Sequence, residues 1–163
     1  MILDLEARQR ARCAEIAATC AGFNLRRASR AVSQHFDRAL APAGLRMTQF
    51  TLLAAYALGG SPSLGELAEA LVTDRTTLSR NLKVIRAAGL IEAAPTADRR
   101  AQRYRLTEHG RAVLEAALPL WQVAQAEVVD PLGADRWRGM LSDLNDLVGV
   151  VRGSPDESAA PDA

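Results

Sequence analysis

Cysteine and histidine are too scarce in this chain to build a scaffold or a metal centre. Cys13, Cys20, His35 and His109 are the whole supply. Two thiols exclude a disulfide framework and a four-ligand zinc site, and their spacing to the histidines matches no metal pattern, so neither metal nor cofactor is expected. No apolar run reaches the roughly 18 to 20 residues that a bilayer-spanning helix needs. The opening MILDLEARQRAR is charged too early for a secretory signal, so a cytoplasmic location is expected. Catalytic machinery is also missing. The chain has no glycine-rich phosphate loop, no G-x-S-x-G elbow, no evident carboxylate pair and no identifiable partner for either histidine, which argues against an enzyme.

What is present is the composition of one ordinary globular core: 163 residues, 48% apolar and 24% charged. The formal net charge of +1 conceals a division along the chain. Residues 73–111 hold nine basic against four acidic side chains, while residues 112–163 hold three against nine. A positive block beside a negative one suggests an anionic partner for the first alone.

Helical periodicity dominates, and no internal repeat interrupts it. From about Glu6 to Leu40, Cys13, Ile16, Cys20 and Phe23, then Val32, Phe36 and Leu40, recur at helical spacing. One long helix, or two joined near Gly22, is expected. Pro42 and Gly44 end it, Thr48 is the expected N-cap of a helix over QFTLLAAYAL, and Gly59-Gly60 closes that helix. Ser63 and Glu66 have the spacing of a capping box for a short helix through Leu71. Thr73 or Asp74 can cap the next, with Leu78, Leu82 and Ile85 inward and Gly89 just past its end. Two short helices joined this closely form a helix-turn-helix candidate. LIEAA and RYRL then predict a two-stranded hairpin with a basic tip, PTADRRAQ. Thr107 caps a helix to about Val129 in which Pro119 can introduce a bend, and a last helix covers about Ala134 to Val151. The tail GSPDESAAPDA has nothing to bury and is expected to be disordered.

On the helix after Asp74, the residues Arg75, Thr76, Ser79 and Arg80 share the face opposite the leucines. An arginine there can fork onto guanine and a hydroxyl can serve base or phosphate, while Lys83 and Arg86 suit phosphate contact. A hairpin tip bearing Asp98, Arg99 and Arg100 directly after such a helix is the arrangement of a wing that enters the minor groove.

The segments DRTTLSRNL, AAGLIE and DRRAQRYRLTEHG resemble the MarR family of winged-helix transcriptional regulators, whose wing signature is matched by Asp98, Arg100, Leu106 and Thr107. The resemblance covers nearly the whole chain. It implies a mainly α fold, a winged helix-turn-helix with a two-stranded wing, whose N- and C-terminal helices form a dimerisation domain. The corresponding segments are 1–46 for N-terminal dimerisation helices, 47–110 for the DNA-binding lobe, 111–152 for the C-terminal dimerisation helices and 153–163 for the tail. It further implies a homodimer on a pseudo-palindromic double-stranded operator, with Arg75, Thr76, Thr77, Ser79 and Arg80 at the major groove and Asp98 with Arg100 in the wing. A palindrome also demands two recognition helices about 34 Å apart, which a single helix-turn-helix cannot supply.

Members of that family answer to small aromatic ligands or to cysteine oxidation. His35, Phe36, Arg46, Tyr56 and Trp121 are candidate pocket residues, and Cys20 and Cys13 candidate redox residues. On one intact helix the two thiols would lie about 10 Å apart along the axis, too far to pair with each other. The reading is a repressor released by a small aromatic ligand. Its alternatives are a redox-sensing repressor of the same fold and a helical protein-interaction dimer with no role on DNA.

Overall fold

The computed structural model describes residues 2–59, 61–95 and 103–153. They form two compact units, Met1–Trp121 and Gln122–Ala163. The elements are seven α-helices, α1 (Ile2–Thr19), α2 (Ala21–Leu40), α3 (Met47–Ala57), α4 (Leu64–Ala70), α5 (Arg75–Ala87), α6 (Glu108–Val129) and α7 (Ala134–Arg152), and a two-stranded sheet of β1 (Ile91–Ala93) and β2 (Tyr104–Leu106). The strands are antiparallel, with Ile91 opposite Leu106 and Ala93 opposite Tyr104.

The long N-terminal segment is two helices, broken at Cys20 and not at Gly22. A side chain explains the break. The Asn24 amide donates to the carbonyls of Ala17 and Ala18 at 3.3 and 3.4 Å, acceptors that helix continuation would use, and to Cys20 O at 3.0 Å, which also accepts the Asn24 N–H. Cys20 is therefore the N-cap residue of α2 and Cys13 lies inside α1, both exposed and free.

Helix α3 starts at Met47, with Arg46 and not Thr48 at its cap. Its first amide is served from another helix, since the Met47 N–H donates to Asp37 Oδ1 of α2 at 2.7 Å. The Arg46 N–H turns to Gln49 Oε1 at 2.8 Å. A carboxylate ten residues upstream thus does what a local hydroxyl was expected to do, and it also favours the positive end of the helix. Thr107 does cap α6, accepting from Gly110 N–H at 2.9 Å, and α6 continues through Pro119.

The core of the first unit is mainly aliphatic, with Phe36, Phe50 and Tyr56 also buried in it. Leu40, Leu52, Leu53, Leu78 and Ile85 are its largest fully buried side chains, each contributing about 1.5 to 3 kcal/mol over exposure. Phe50 stacks on Trp121 with ring centroids 6.1 Å apart. In the second unit α7 leaves Met140, Leu141, Leu144 and Val148 more than a third exposed along one face.

Tyr56 brings the one discordant polar atom into this core. Its hydroxyl is buried without a hydrogen-bond partner among the described residues. Burial, and secondarily the charge of Tyr104, push its pKa from 10.0 to about 12. A phenol is neutral when protonated, so the raised folded value means stability held in full below pH 10 and lost as pH rises from there towards 12. Absorbance titration of phenolate should show a tyrosine ionising near pH 12. Tyr56→Phe should remove that step and leave the melting temperature unchanged or higher, because it deletes an unpaired buried hydroxyl.

Candidate nucleic-acid interface

The helix-turn-helix is fixed by two caps and one strained turn. The Ser63 N–H donates to Glu66 Oε2 at 2.6 Å and the Glu66 N–H donates to Ser63 Oγ at 3.3 Å, which starts α4 as the spacing predicts. Hydrogen bonds from the Ser63 backbone and side chain, then the Arg103 charge, hold the Glu66 carboxyl below its usual range. Between α4 and α5 the chain turns at Val72, a β-branched residue with φ of 48°. Such a conformation is costly for valine and persists only where neighbouring bonds impose it, here Thr73 N–H donating to Ala68 O at 3.0 Å.

Of the two expected caps for α5, Asp74 is the one used: Thr77 N–H donates to its Oδ1 at 2.8 Å. Hydrogen bonding to Thr77 keeps the Asp74 carboxyl below its ordinary range. The helix then divides cleanly. Leu78, Leu82 and Ile85 are buried, while Arg75, Thr76, Thr77, Ser79, Arg80, Lys83 and Arg86 are all exposed. Polar side chains of differing reach thus face solvent, with cations spaced along the helix from Arg75 through Arg80 and Lys83 to Arg86.

Two residues past the end of α5, Gly89, with φ of 69° and its N–H bonded to Arg86 O at 2.9 Å, turns the chain into β1. Arg105 of β2 donates to Glu92 of β1 at 2.8 Å. The Arg86 guanidinium stands 5.9 Å from the centroid of the Tyr104 ring. A cation over an aromatic face at that distance is worth about 0.5 to 1 kcal/mol at an exposed site, and it ties the recognition helix to the wing. Neither Tyr104 nor Arg103 stood out in the sequence, because their partners lie far along the chain. Asp98, Arg99 and Arg100, at the tip between the strands, fall outside the described residues.

The five expected pocket residues are spread through the first unit. Phe36 and Tyr56 are core, Trp121 stacks on Phe50, His35 packs edge-on against Phe36 at 5.5 Å, and Arg46 is exposed at the start of α3. A cavity of about 220 Å³ opens instead behind the recognition helix, lined by Met47, Thr51, Leu52, Leu71, Thr77 and Asn81 among others. Its lining joins α3, the strained turn and α5.

Known proteins share this arrangement. The family model for the MarR family matches residues 43–101. The M. tuberculosis transcriptional regulator MosR, solved in complex with DNA, is 42% identical over 83% of this chain and 100% of its own, with a TM-score of 0.73. The repressor CouR, bound to a 23-mer DNA duplex, is 26% identical over 82% of this chain and 96% of its own, with a TM-score of 0.74. A mutant of MarR from E. coli, complexed with operator DNA, matches in fold at 22% identity and a TM-score of 0.74, over 82% of this chain and 97% of its own. No curated protein matches the chain. A recognition helix with its polar face outward, a two-stranded wing held against it, and identity above two in five along the full length of MosR have one reading: the chain belongs to the MarR family of winged-helix, DNA-binding transcriptional regulators.

Proposed function

We propose that the protein is a homodimeric repressor that grips a pseudo-palindromic operator through α5 and the wing and is released by a small aromatic ligand. The observation that carries this is the division of α5 into a buried leucine–isoleucine face and an exposed face of Arg75, Thr76, Thr77, Ser79, Arg80 and Lys83. Side chains near the N-terminus of such a helix reach base edges, and those further along reach phosphates. Asp98, Arg99 and Arg100 complete the grip from the wing in the minor groove.

Dimerisation through segments 1–46 and 111–152 is supported by apolar surface left open in the single chain. Ile16 is 58% exposed and Phe23 49%, and Met140, Leu141, Leu144 and Val148 of α7 form a second apolar face. A symmetric partner would bury both and supply the second recognition helix. The reading places the protein in the cytoplasm, with its operator.

The cavity behind α5 offers the effector its site. CouR has been solved with p-coumaroyl-CoA. At about 220 Å³ the cavity here is smaller than the roughly 300 to 1,000 Å³ of pockets enclosing drug-sized ligands, so it suits a single ring. A ligand wedged between Thr51 and Asn81 would move α5 relative to α3. Exposure of both thiols favours a second reading, oxidation of Cys20 or Cys13 to a sulfenic acid, a small-thiol adduct or a bond to the other subunit.

Fluorescence anisotropy of labelled DNA from upstream of the protein's own gene tests these readings. Tight binding that weakens steeply with salt and is reversed by benzoate- or phenol-type compounds supports the proposal. Loss of binding on mild peroxide, restored by a thiol, moves the sensor to the cysteines. Salt-insensitive or absent binding to that DNA and to a genomic fragment library would leave only a protein-interaction dimer.

A further inference from the structure

We propose that Arg103 is a positioning residue for DNA binding, fastening the root of the wing to the start of α4 without touching phosphate itself. The proposal rests on the DNA-binding reading of α5 and the wing. Arg103 Nη1 donates to Ser61 O at 2.8 Å and to Glu66 Oε2 at 3.4 Å. That same carboxylate oxygen accepts the Ser63 N–H in the capping box of α4. The main chain adds to the joint, since Ser63 and Arg103 pair in an isolated antiparallel bridge and Ala94 N–H donates to Arg103 O at 2.9 Å. Arg103 is the residue through which β2 leads back towards the tip of the wing, and its charge is already engaged by a carboxylate.

Two features indicate that the joint has a purpose beyond holding the fold. Ser61, whose carbonyl it uses, has φ of 44°, a left-handed conformation that a non-glycine residue adopts only under constraint. The joint also closes a circuit. Helix α4 leads through the Val72 turn to α5, α5 through Gly89 to β1, β1 pairs with β2, and Arg103 returns β2 to α4. A three-residue pair of strands is weak by itself: buried Ile91 and Leu106 and the Thr107 bond to Gly89 O anchor its base, while further out it is held by the Tyr104–Arg86 contact and by Arg103. Binding two grooves at once requires their separation to be set beforehand, and presetting it removes an entropic cost from association.

A positioning arginine and a phosphate-contacting arginine differ in measurable ways. Operator affinity should be measured against salt concentration for wild type, Arg103→Ala, Glu66→Gln and the double variant, with thermal unfolding in parallel. Gln is chosen at position 66 because it retains the capping box while removing the charge. The expected result is a roughly tenfold loss for Arg103→Ala at an unchanged salt slope. Glu66→Gln should also weaken binding, although it removes a negative charge, and the double variant should bind no worse than Arg103→Ala, the signature of one shared interaction. Arg103→Lys, which keeps a donor and a charge for both acceptors, should recover part of the loss and serves in place of alanine if that variant does not fold. A salt slope shallower by about one, with Glu66→Gln binding more tightly, would identify a phosphate contact and overturn the proposal. Wild-type affinity in Arg103→Ala would overturn it alone, whereas a wild type that binds no DNA would overturn the DNA-binding reading and the proposal together.

Discussion

Gly110→Ala is expected to cost the DNA-binding unit about 3 kcal/mol or more, a large share of a typical total of about 5 to 15. A Cβ at this position would lie 2.0 Å from Leu90 O and 2.9 Å from Leu90 C. Both are backbone atoms, and neither is free to retreat. Leu90 O accepts the Thr107 N–H at 3.1 Å, while Thr107 Oγ1 donates to Gly89 O at 2.7 Å and accepts the Gly110 N–H at 2.9 Å. The first turn of α6 is thus seated on the backbone that leaves the recognition helix, at a spacing only hydrogen in place of a side chain permits. Urea unfolding followed by circular dichroism would measure the loss. A melting temperature within a few degrees of wild type would show that the chain can relax there and that the close approach is not obligatory.

Simultaneous Arg75→Ala and Arg80→Ala is expected to weaken operator binding about thirtyfold or more, since each arginine read against a base is worth about 1 to 3 kcal/mol. Both are exposed on the outward face of α5 and neither supports the core, so thermal stability should hardly move. Competition against unrelated duplex separates the roles. If the pair reads bases, the preference for operator over random DNA collapses, whereas Lys83→Ala lowers binding to both alike and reduces the salt slope by about one. Equal losses on both duplexes for the arginine pair would reassign it to the phosphates.

How much of this was legible depended on sequence distance. Asp74 before a leucine repeat, the Ser63 and Glu66 spacing, Gly89 past the end of α5 and the change of period at Ile91 were all local, and the helix-turn-helix and hairpin stand where those signals put them. The misplacements have the opposite character. Asp37 caps α3 from another helix and so shifts its start to Met47, and Asn24 breaks the N-terminal segment by reaching back to Ala17. Arg103 finds Glu66 across 37 residues of chain. Each contact exists only once the chain has folded, so no periodicity announces it. The cavity behind α5 was hidden for the same reason, being the gap between three elements and belonging to none of them.

The bond from Met47 N–H to Asp37 also bears on how the chain can vary between relatives. Connections between helices ordinarily accept insertions at small entropic expense. Here the 3₁₀ turn Ala41–Ala43 and the residues after it are closed by a side chain on one helix gripping the first amide of the next. One residue more or fewer would pull the carboxylate out of register with that amide. The linker between α2 and α3 should therefore be fixed in length, even where its own side chains are exposed and free to change.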